Sequence, residues 1–382
     1  MSSLGQETPP VSFADSPLKE GAKCDIAYKK GADFLAIQTV TGILQKKDAG
    51  IVTPHEHIFI ELTAFFEERP LQDCESPATA PVTMDKLGIL NRDPYALRDN
   101  LRMDDYETQK KEILRFKKAG GTTMVDATMP GIGRDPKMLR RIAEATGINV
   151  VMGTGYYVCS THPEAMKAMT EEQIAEEMIK EITVGAEGTD IKAGVIGEIG
   201  ISEVFNEEER RVLRAAAIAC KKTGTPILVH INPWTVNGLE AAEILLDAGV
   251  DPKKIAISHI DVENNMDYIH ALLEKGVYVE FDNFGKEYYV DREARRDGYG
   301  LFVHDTDRVE CLKTLIDEGY GKQLLASCDV CLKTCLRTYG GWGYDHVLVN
   351  IVPMMEDAGI SQAAIDDLLI HNPAEFLDNG GL

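Results

Sequence analysis

The stretch Thr53-Pro54-His55-Glu56-His57-Ile58-Phe59-Ile60 sets two histidines two residues apart in an apolar, strand-like context. On a strand, side chains at i and i+2 point to the same face, so both imidazoles converge on one point. A divalent cation is the usual reason to place two imidazoles in that way. Two unrelated polar residues at a strand end would give the same pattern, so the pair alone decides little. Four further apolar runs end in Glu198, His230, His259 and Asp329. Imidazole with carboxylate suits zinc, with manganese or iron as alternatives.

These residues converge only if their runs belong to one architecture. Eight short apolar runs occur, at 51–60, 123–128, 148–152, 193–199, 226–231, 255–260, 277–281 and 324–329. Amphipathic helical patterns fall between them, at 105–119, 136–146, 170–185, 206–223, 239–248, 265–275 and 306–318, and another follows at 344–358. In the 206–223 segment, Glu207, Glu208 and Glu209 occupy the first turn, where the helix dipole favours acids, and Gly224 follows its end. Eight strands alternating with helices predict parallel β/α units, and the economical arrangement is a closed (β/α)8 TIM barrel. An open doubly wound sheet would instead carry a Gly-rich turn after its first strand. In a barrel all strand ends meet at the C-terminal face. His55, His57 and Asp329 are then placed on a first cation and His230 and His259 on a second. Glu198 lies between the two groups and bridges them. Two cations there would make water acidic at neutral pH and polarise an incoming oxygen. Asp329 takes the second role of proton acceptor, and the reaction class is hydrolysis at carbon or phosphorus.

The 382 residues carry a net charge of −22 with pI near 4.8, which argues against nucleic acid and anionic membrane surfaces as partners. A small-molecule substrate, with an anionic end, is the expected partner. The first 23 residues hold no apolar core of a secretory signal, and no run of about 18 apolar residues occurs, so a cytoplasmic protein is expected. The eight cysteines are read as free thiols, with Cys328, Cys331 and Cys335 as buried thiols near the site rim. Residues 1–35 are expected to form a terminal arm, with 36–382 as a single barrel domain that opens on a hairpin. Long connections at 61–104, 282–305 and 330–343 would emerge at the mouth as lid candidates. Tyr156, Tyr157 and Asn283 are placed as substrate contacts. Lys286, Arg337 and Arg134 are basic groups available to an anionic end. Asp126 and Asp282 are candidates for orienting the ligands.

From about residue 51 to 377 the chain resembles the phosphotriesterase family of the amidohydrolase superfamily. The resemblance rests on Thr53–His57, Gly131-Ile132-Gly133-Arg134-Asp135, Gly194–Gly200, Val229-His230, Ser258–Asp261, Ala326–Asp329 and Asn372-Pro373-Ala374. It implies a barrel, a binuclear metal site, hydrolysis and often a homodimer, and it carries metal roles onto His55, His57, Glu198, His230, His259 and Asp329. Organophosphate-hydrolysing members have a carboxylated lysine where this chain has Glu198. They have a histidine at Asn283 and an aspartate near Val262, so their proton relay is not reproduced. Tyr156-Tyr157-Val158, Gly197–Gly200 and Phe284-Gly285-Lys286 are similar to the branch of phosphotriesterase-related (resiniferatoxin-binding) and phosphotriesterase homology proteins. That branch implies carbonyl substrates, N-acyl amides or lactones, ahead of phosphotriesters. A barrel that binds ligand without catalysis is disfavoured by the intact set of six ligands.

Overall fold

A computed structural model of the chain describes residues 35–71, 74–290 and 300–380. The expected terminal arm therefore lies, except for Leu35, outside the described residues, as does part of the 282–305 loop. Eight strands form one parallel sheet in sequential order. They are β1 (Ile51–Glu56), β2 (Gly121–Asp126), β3 (Asn149–Thr154), β4 (Val195–Ile201), β5 (Ile227–Ile231), β6 (Ile255–Ile257), β7 (Tyr278–Phe281) and β8 (Leu324–Ala326). Helices α1 (Tyr106–Lys118), α2 (Pro136–Thr146), α3 (Glu171–Thr183), α4 (Glu207–Thr223), α5 (Gly238–Asp247), α6 (Met266–Leu273) and α7 (Asp305–Asp317) separate them. An antiparallel hairpin of Ala36–Thr39 and Gly42–Gln45 precedes β1. No helix among the described residues is long and apolar enough to cross a membrane.

Local signals in the chain explain the element ends. Asn206 and Glu209 form a reciprocal capping box at the start of α4, and Gly224 ends it in the left-handed region at φ 73. The last helix expected from the sequence, at 344–358, differs from expectation. Residues 347–351 form a π turn before α8 (Val352–Asp357). Pro353 has no N–H to give the preceding turn and its ring crowds the carbonyl four residues back, which widens the helix there.

The barrel interior is filled by one side chain from each strand: Val52, Val125, Val151, Val195, Leu228, Ala256, Tyr278 and Leu325, with Ile37 of the hairpin and Phe376 in the same cluster. Each buried Val, Leu, Ile or Phe among them stabilises by about 1.5–3 kcal/mol. The alternate residues pack outward against the helices.

Strict alternation from Val52 would turn His55 out of the barrel. The pairing of β1 with β2 is irregular between Thr53 and Glu56, and this reverses the phase so that His55 and His57 face in. β4 uses the same device. Its pairing with β5 shifts between Ile196 and Ile199, so inward Val195 is followed by inward Glu198. Gly197 is required there: φ is 123°, and a Cβ would lie 2.1 Å from the Leu228 carbonyl oxygen.

The seam between β8 and β1 is closed largely by a side chain. Asp329 N–H donates to the His55 carbonyl at 3.3 Å. The Glu56 carboxylate accepts from Cys328 N–H (3.0 Å), Val330 N–H (2.8 Å) and Thr53 Oγ1 (2.7 Å). Burial pushes this carboxyl up to about 7 against the pull of its three donors. Glu56→Gln turns one acceptor into a donor facing a buried N–H. We expect it to lower unfolding free energy by about 1–3 kcal/mol. Denaturant titration at matched metal content checks this, and an unchanged midpoint would count against the seam role.

Candidate metal centre

The phase reversals in β1 and β4 turn His55, His57 and Glu198 to the barrel mouth, where His230 of β5 and His259 after β6 join them. Glu198 Oε1 lies 3.3 Å from His57 Nε2. Glu198 Oε2 lies 3.4 Å from His55 Nε2, 3.2 Å from His230 Nδ1 and 3.8 Å from His259 Nε2. Two triads, His55/His57/Glu198 and Glu198/His230/His259, each keep their donor atoms within 4.8 Å of one another, and they share Glu198. Asp329 adds Oδ1 at 3.2 Å from His57 Nε2 and 4.0 Å from His55 Nε2.

His259 and Asp329 are delivered differently. β6 and β8 end earlier than the apolar runs suggest, and these two residues follow outside the extended region, at φ 60 and 43. Only four described non-glycine residues have positive φ, and two of them are these candidate ligands. Strain of about 1–3 kcal/mol per residue persists where surrounding structure enforces it, commonly at functional sites. For His259 the enforcing contact is Asp282, whose two oxygens accept from its N–H at 3.1 and 3.0 Å.

The far nitrogens of the histidines are already committed. His55 Nδ1 lies 3.1 Å from Glu280 Oε2 and 3.3 Å from Asp282 Oδ2. His57 Nδ1 meets Thr128 Oγ1 at 2.9 Å, and His259 Nδ1 meets Asp282 Oδ1 at 3.0 Å. Such contacts fix the ring and leave Nε2 as an electron-pair donor toward the centre. Behind them, Asp126 caps the β1 loop through Ile58 N–H at 2.7 Å and Thr128 N–H at 3.2 Å.

Two observations show that this donor set fits divalent cations. His55 Nε2 and Asp329 Oδ1 are buried with no hydrogen-bond partner, although both face the centre. His230 Nδ1 and His259 Nε2 also approach to 2.8 Å, a close pairing of donors that a shared cation would relieve. Electrostatics agree. Burial alone would lower His57 and His259. The Asp329 and Glu198 carboxylates outweigh it and hold His57 at about 9, and Asp282 with Glu198 holds His259 at about 10. Glu198 is held well below the usual carboxylate range by its imidazoles despite its burial. The carboxylates demand positive charge, and protons supply it when cations do not.

A pH dependence follows. The raised pKa values of His55, His57 and His259 mean that protons compete with cations below about 9, whereas burial lowers His230. Metal affinity should therefore fall steadily as pH drops from 9 to 6, with protons released on loading. Calorimetric titration in two buffers of different ionisation heat reads that release, and affinity flat across this range would contradict it.

Other expected site residues are placed as follows. Tyr157 sits against His230, its hydroxyl 3.3 Å from Nε2. Lys286 is buried with its Nζ on Asp329 Oδ2 rather than open to substrate. Tyr156, Asn283, Arg337 and Arg134 are each committed elsewhere. The Tyr156 hydroxyl donates to Glu177. The Asn283 amide donates to Asp261 (2.7 Å) and Asp282 (2.8 Å). Arg337 Nε lies 3.0 Å from Asp345. Arg134 is clamped by Glu181 and Glu187 at 2.6 and 3.0 Å. For Tyr156, Asn283 and Arg134 a partner remote in sequence takes the polar group, and for Arg337 one on the same loop does. Glu280 and Thr128 escaped the sequence reading. Glu280 left one signal, a lone acid inside the apolar run Val277-Tyr278-Val279-Glu280-Phe281. A cavity of about 390 Å³ opens beside His259, walled by Trp234, Val236, Asn237, Glu263 and Tyr268. That is room for a small organic ligand.

Comparison with known proteins places the whole barrel in one family. Residues 35–377 match the family model described as "Phosphotriesterase family". The chain is 37% identical to N-acetyltaurine hydrolase of Xenopus tropicalis over 347 residues, covering 89% of this chain and 97% of that one. It is similar to the crystal structure of a resiniferatoxin-binding protein from Rhodobacter sphaeroides, with TM-score 0.86, 32% identity, and coverage of 91% of this chain and 96% of that one. It is also similar to the phosphotriesterase homology protein of Escherichia coli, complexed with phosphate in its active site, with TM-score 0.71, 30% identity, and coverage of 87% and 99%.

Proposed function

The chain belongs to the phosphotriesterase family and is a hydrolase, and from that premise we propose that it hydrolyses an N-acyl amide bond of a small anionic substrate. The observation that carries this reading is the similarity to an N-acetyltaurine hydrolase across 97% of that relative's length. His55, His57 and Asp329 would hold one divalent cation and His230 and His259 a second, with Glu198 shared, and zinc is the ion proposed first. When bound, the ions supply Lewis acidity toward the amide carbonyl and lower the pKa of water.

The protein's own residues do the rest. Glu280, Asp282 and Thr128 keep the histidine rings aimed inward, so the donors need no rearrangement during reaction. Asp329 Oδ1, the carboxylate oxygen without a partner, takes the proton of the attacking water and returns it to the departing amine. The Tyr157 hydroxyl, beside His230, faces the acyl group. The remainder of the substrate occupies the cavity beside His259. The reaction is placed in the cytoplasm, where the seven described cysteines remain thiols. Phosphotriester hydrolysis is the second reading. It lacks the histidine relay, since Asn283 stands in that position with its amide turned to Asp261.

The test is turnover by metal-loaded protein of N-acetyltaurine, other N-acyl amino acids, a lactone and an activated phosphotriester. We expect kcat/KM for an N-acyl amide to exceed that for the phosphotriester by about 100-fold or more, roughly 2.7 kcal/mol in the barrier. Hydrolysis of the phosphotriester alone would overturn the amide reading.

A further inference from the structure

Lys286 is 6% exposed and lies in the turn after β7. Its N–H donates to the Asn283 carbonyl at 2.9 Å, and Gly285 before it takes φ 85, which favours glycine. The turn is fixed from outside as well. Gly285 N–H donates to both Asp305 oxygens at 3.0 and 3.2 Å, and Arg308 Nη2 donates to the Lys286 carbonyl at 3.1 Å. Arg308 is itself fully buried and paired with Asp305 at 2.9 Å and Asp261 at 3.1 Å. From this fixed and buried backbone the side chain carries its ammonium to Asp329 Oδ2, with the Cys331 sulfur 3.6 Å away. Asp329 is the one carboxylate it pairs with among the described residues.

The same carboxylate is constrained from its backbone, at φ 43 with its N–H on the His55 carbonyl. One oxygen is taken by Lys286, and the other is left without a partner 3.2 Å from His57 Nε2. A free carboxylate can turn both oxygens toward one cation or swing away from it. A carboxylate held by a buried ammonium at one oxygen can do neither.

We propose that Lys286 is a positioning residue, which holds Asp329 by Oδ2 so that Oδ1 alone faces the centre, available to one cation and to the proton of the attacking water. Lys286 is thereby not the hook for an anionic substrate end. The kinetic arm of the test rests on the proposed amide hydrolysis, and the spectroscopic arm does not.

In Lys286→Met we expect two metals per chain, KM close to that of the parent, and kcat lower by about 10- to 100-fold, the scale of a misplaced reacting group. Ethylammonium added to Lys286→Ala should restore part of kcat. In Co2+-loaded Lys286→Met the visible absorption should weaken as Asp329 engages by both oxygens and coordination number rises. A rise in KM with kcat kept would make Lys286 a substrate contact and overturn the proposal. Loss of metal would do so in favour of a purely structural role, and unchanged kcat would leave it no role. If the parent cleaves no N-acyl amide, the functional reading fails by itself. The Co2+ spectrum then still decides: unchanged between parent and Lys286→Met, it overturns the positioning role.

Discussion

Asp329→Asn should keep two metal ions and lose turnover by about 10²–10⁴-fold, the usual share of a general base. Its Oδ1 is the partnerless oxygen beside His57, and an amide there accepts no proton. The amide oxygen will turn to the Lys286 ammonium, which leaves NH2 facing the centre. Retention of metal is expected because His55, His57 and Glu198 still surround that position. The variant should also be less stable. Lys286 stays buried and loses its counter-charge, a loss of about 3–5 kcal/mol when a buried pair is broken from one side. The double variant Asp329→Asn with Lys286→Met removes the orphan charge, so it should recover much of the melting temperature and none of the turnover. Measuring kcat, bound metal and thermal melting on the three proteins separates the two effects. Wild-type kcat in Asp329→Asn would remove the residue from the chemistry.

Glu198→Gln should act on the metals themselves. The carboxylate lies within 3.2–3.8 Å of four imidazole nitrogens and is common to both triads. Gln keeps the shape and loses both the charge and one electron-pair donor. Altered outer contacts to a metal ligand already cost about 10–100-fold in affinity, and a donor shared by two ions should exceed that. Metal analysis after dialysis should find one ion or fewer per chain, with turnover below detection. Two ions retained at wild-type affinity would show that Glu198 is a neighbour of the metals rather than a ligand they share.

The fold was legible because two periodicities are written plainly in the chain. Largely apolar strand runs of five to ten residues alternate with helices whose caps are local, as at Asn206 and Gly224. Residues 136–146 could be delimited from Pro136 and Gly147 alone. The candidate ligands were legible because polar residues at the ends of apolar runs stand out. The way they face inward was not. It depends on irregular pairing within β1 and β4, which the alternation of a single strand does not reveal. The surroundings of the ligands were legible only in part. Asp282 could be suspected from its place after β7. The partners of Lys286 and Asn283 could not, because Asp329 and Asp261 reach them only through tertiary placement. Basic side chains at loop positions read as substrate hooks until the acids beside them are known.

The Glu56 staple bears on how such a chain is made. Its hydrogen bonds join positions 272 and 274 residues apart, close to the largest separation the barrel offers. During synthesis His55 and His57 emerge first and wait, with strand edges unpaired, until residues 327–330 arrive. Contacts of this range slow folding and lengthen exposure of sticky intermediates. Asp329, the sixth candidate ligand, therefore joins the other five only with the last strand. Cations supplied before then find five of the candidate ligands but neither Asp329 nor the Glu56 seam beside His55, so the full set rewards the finished barrel.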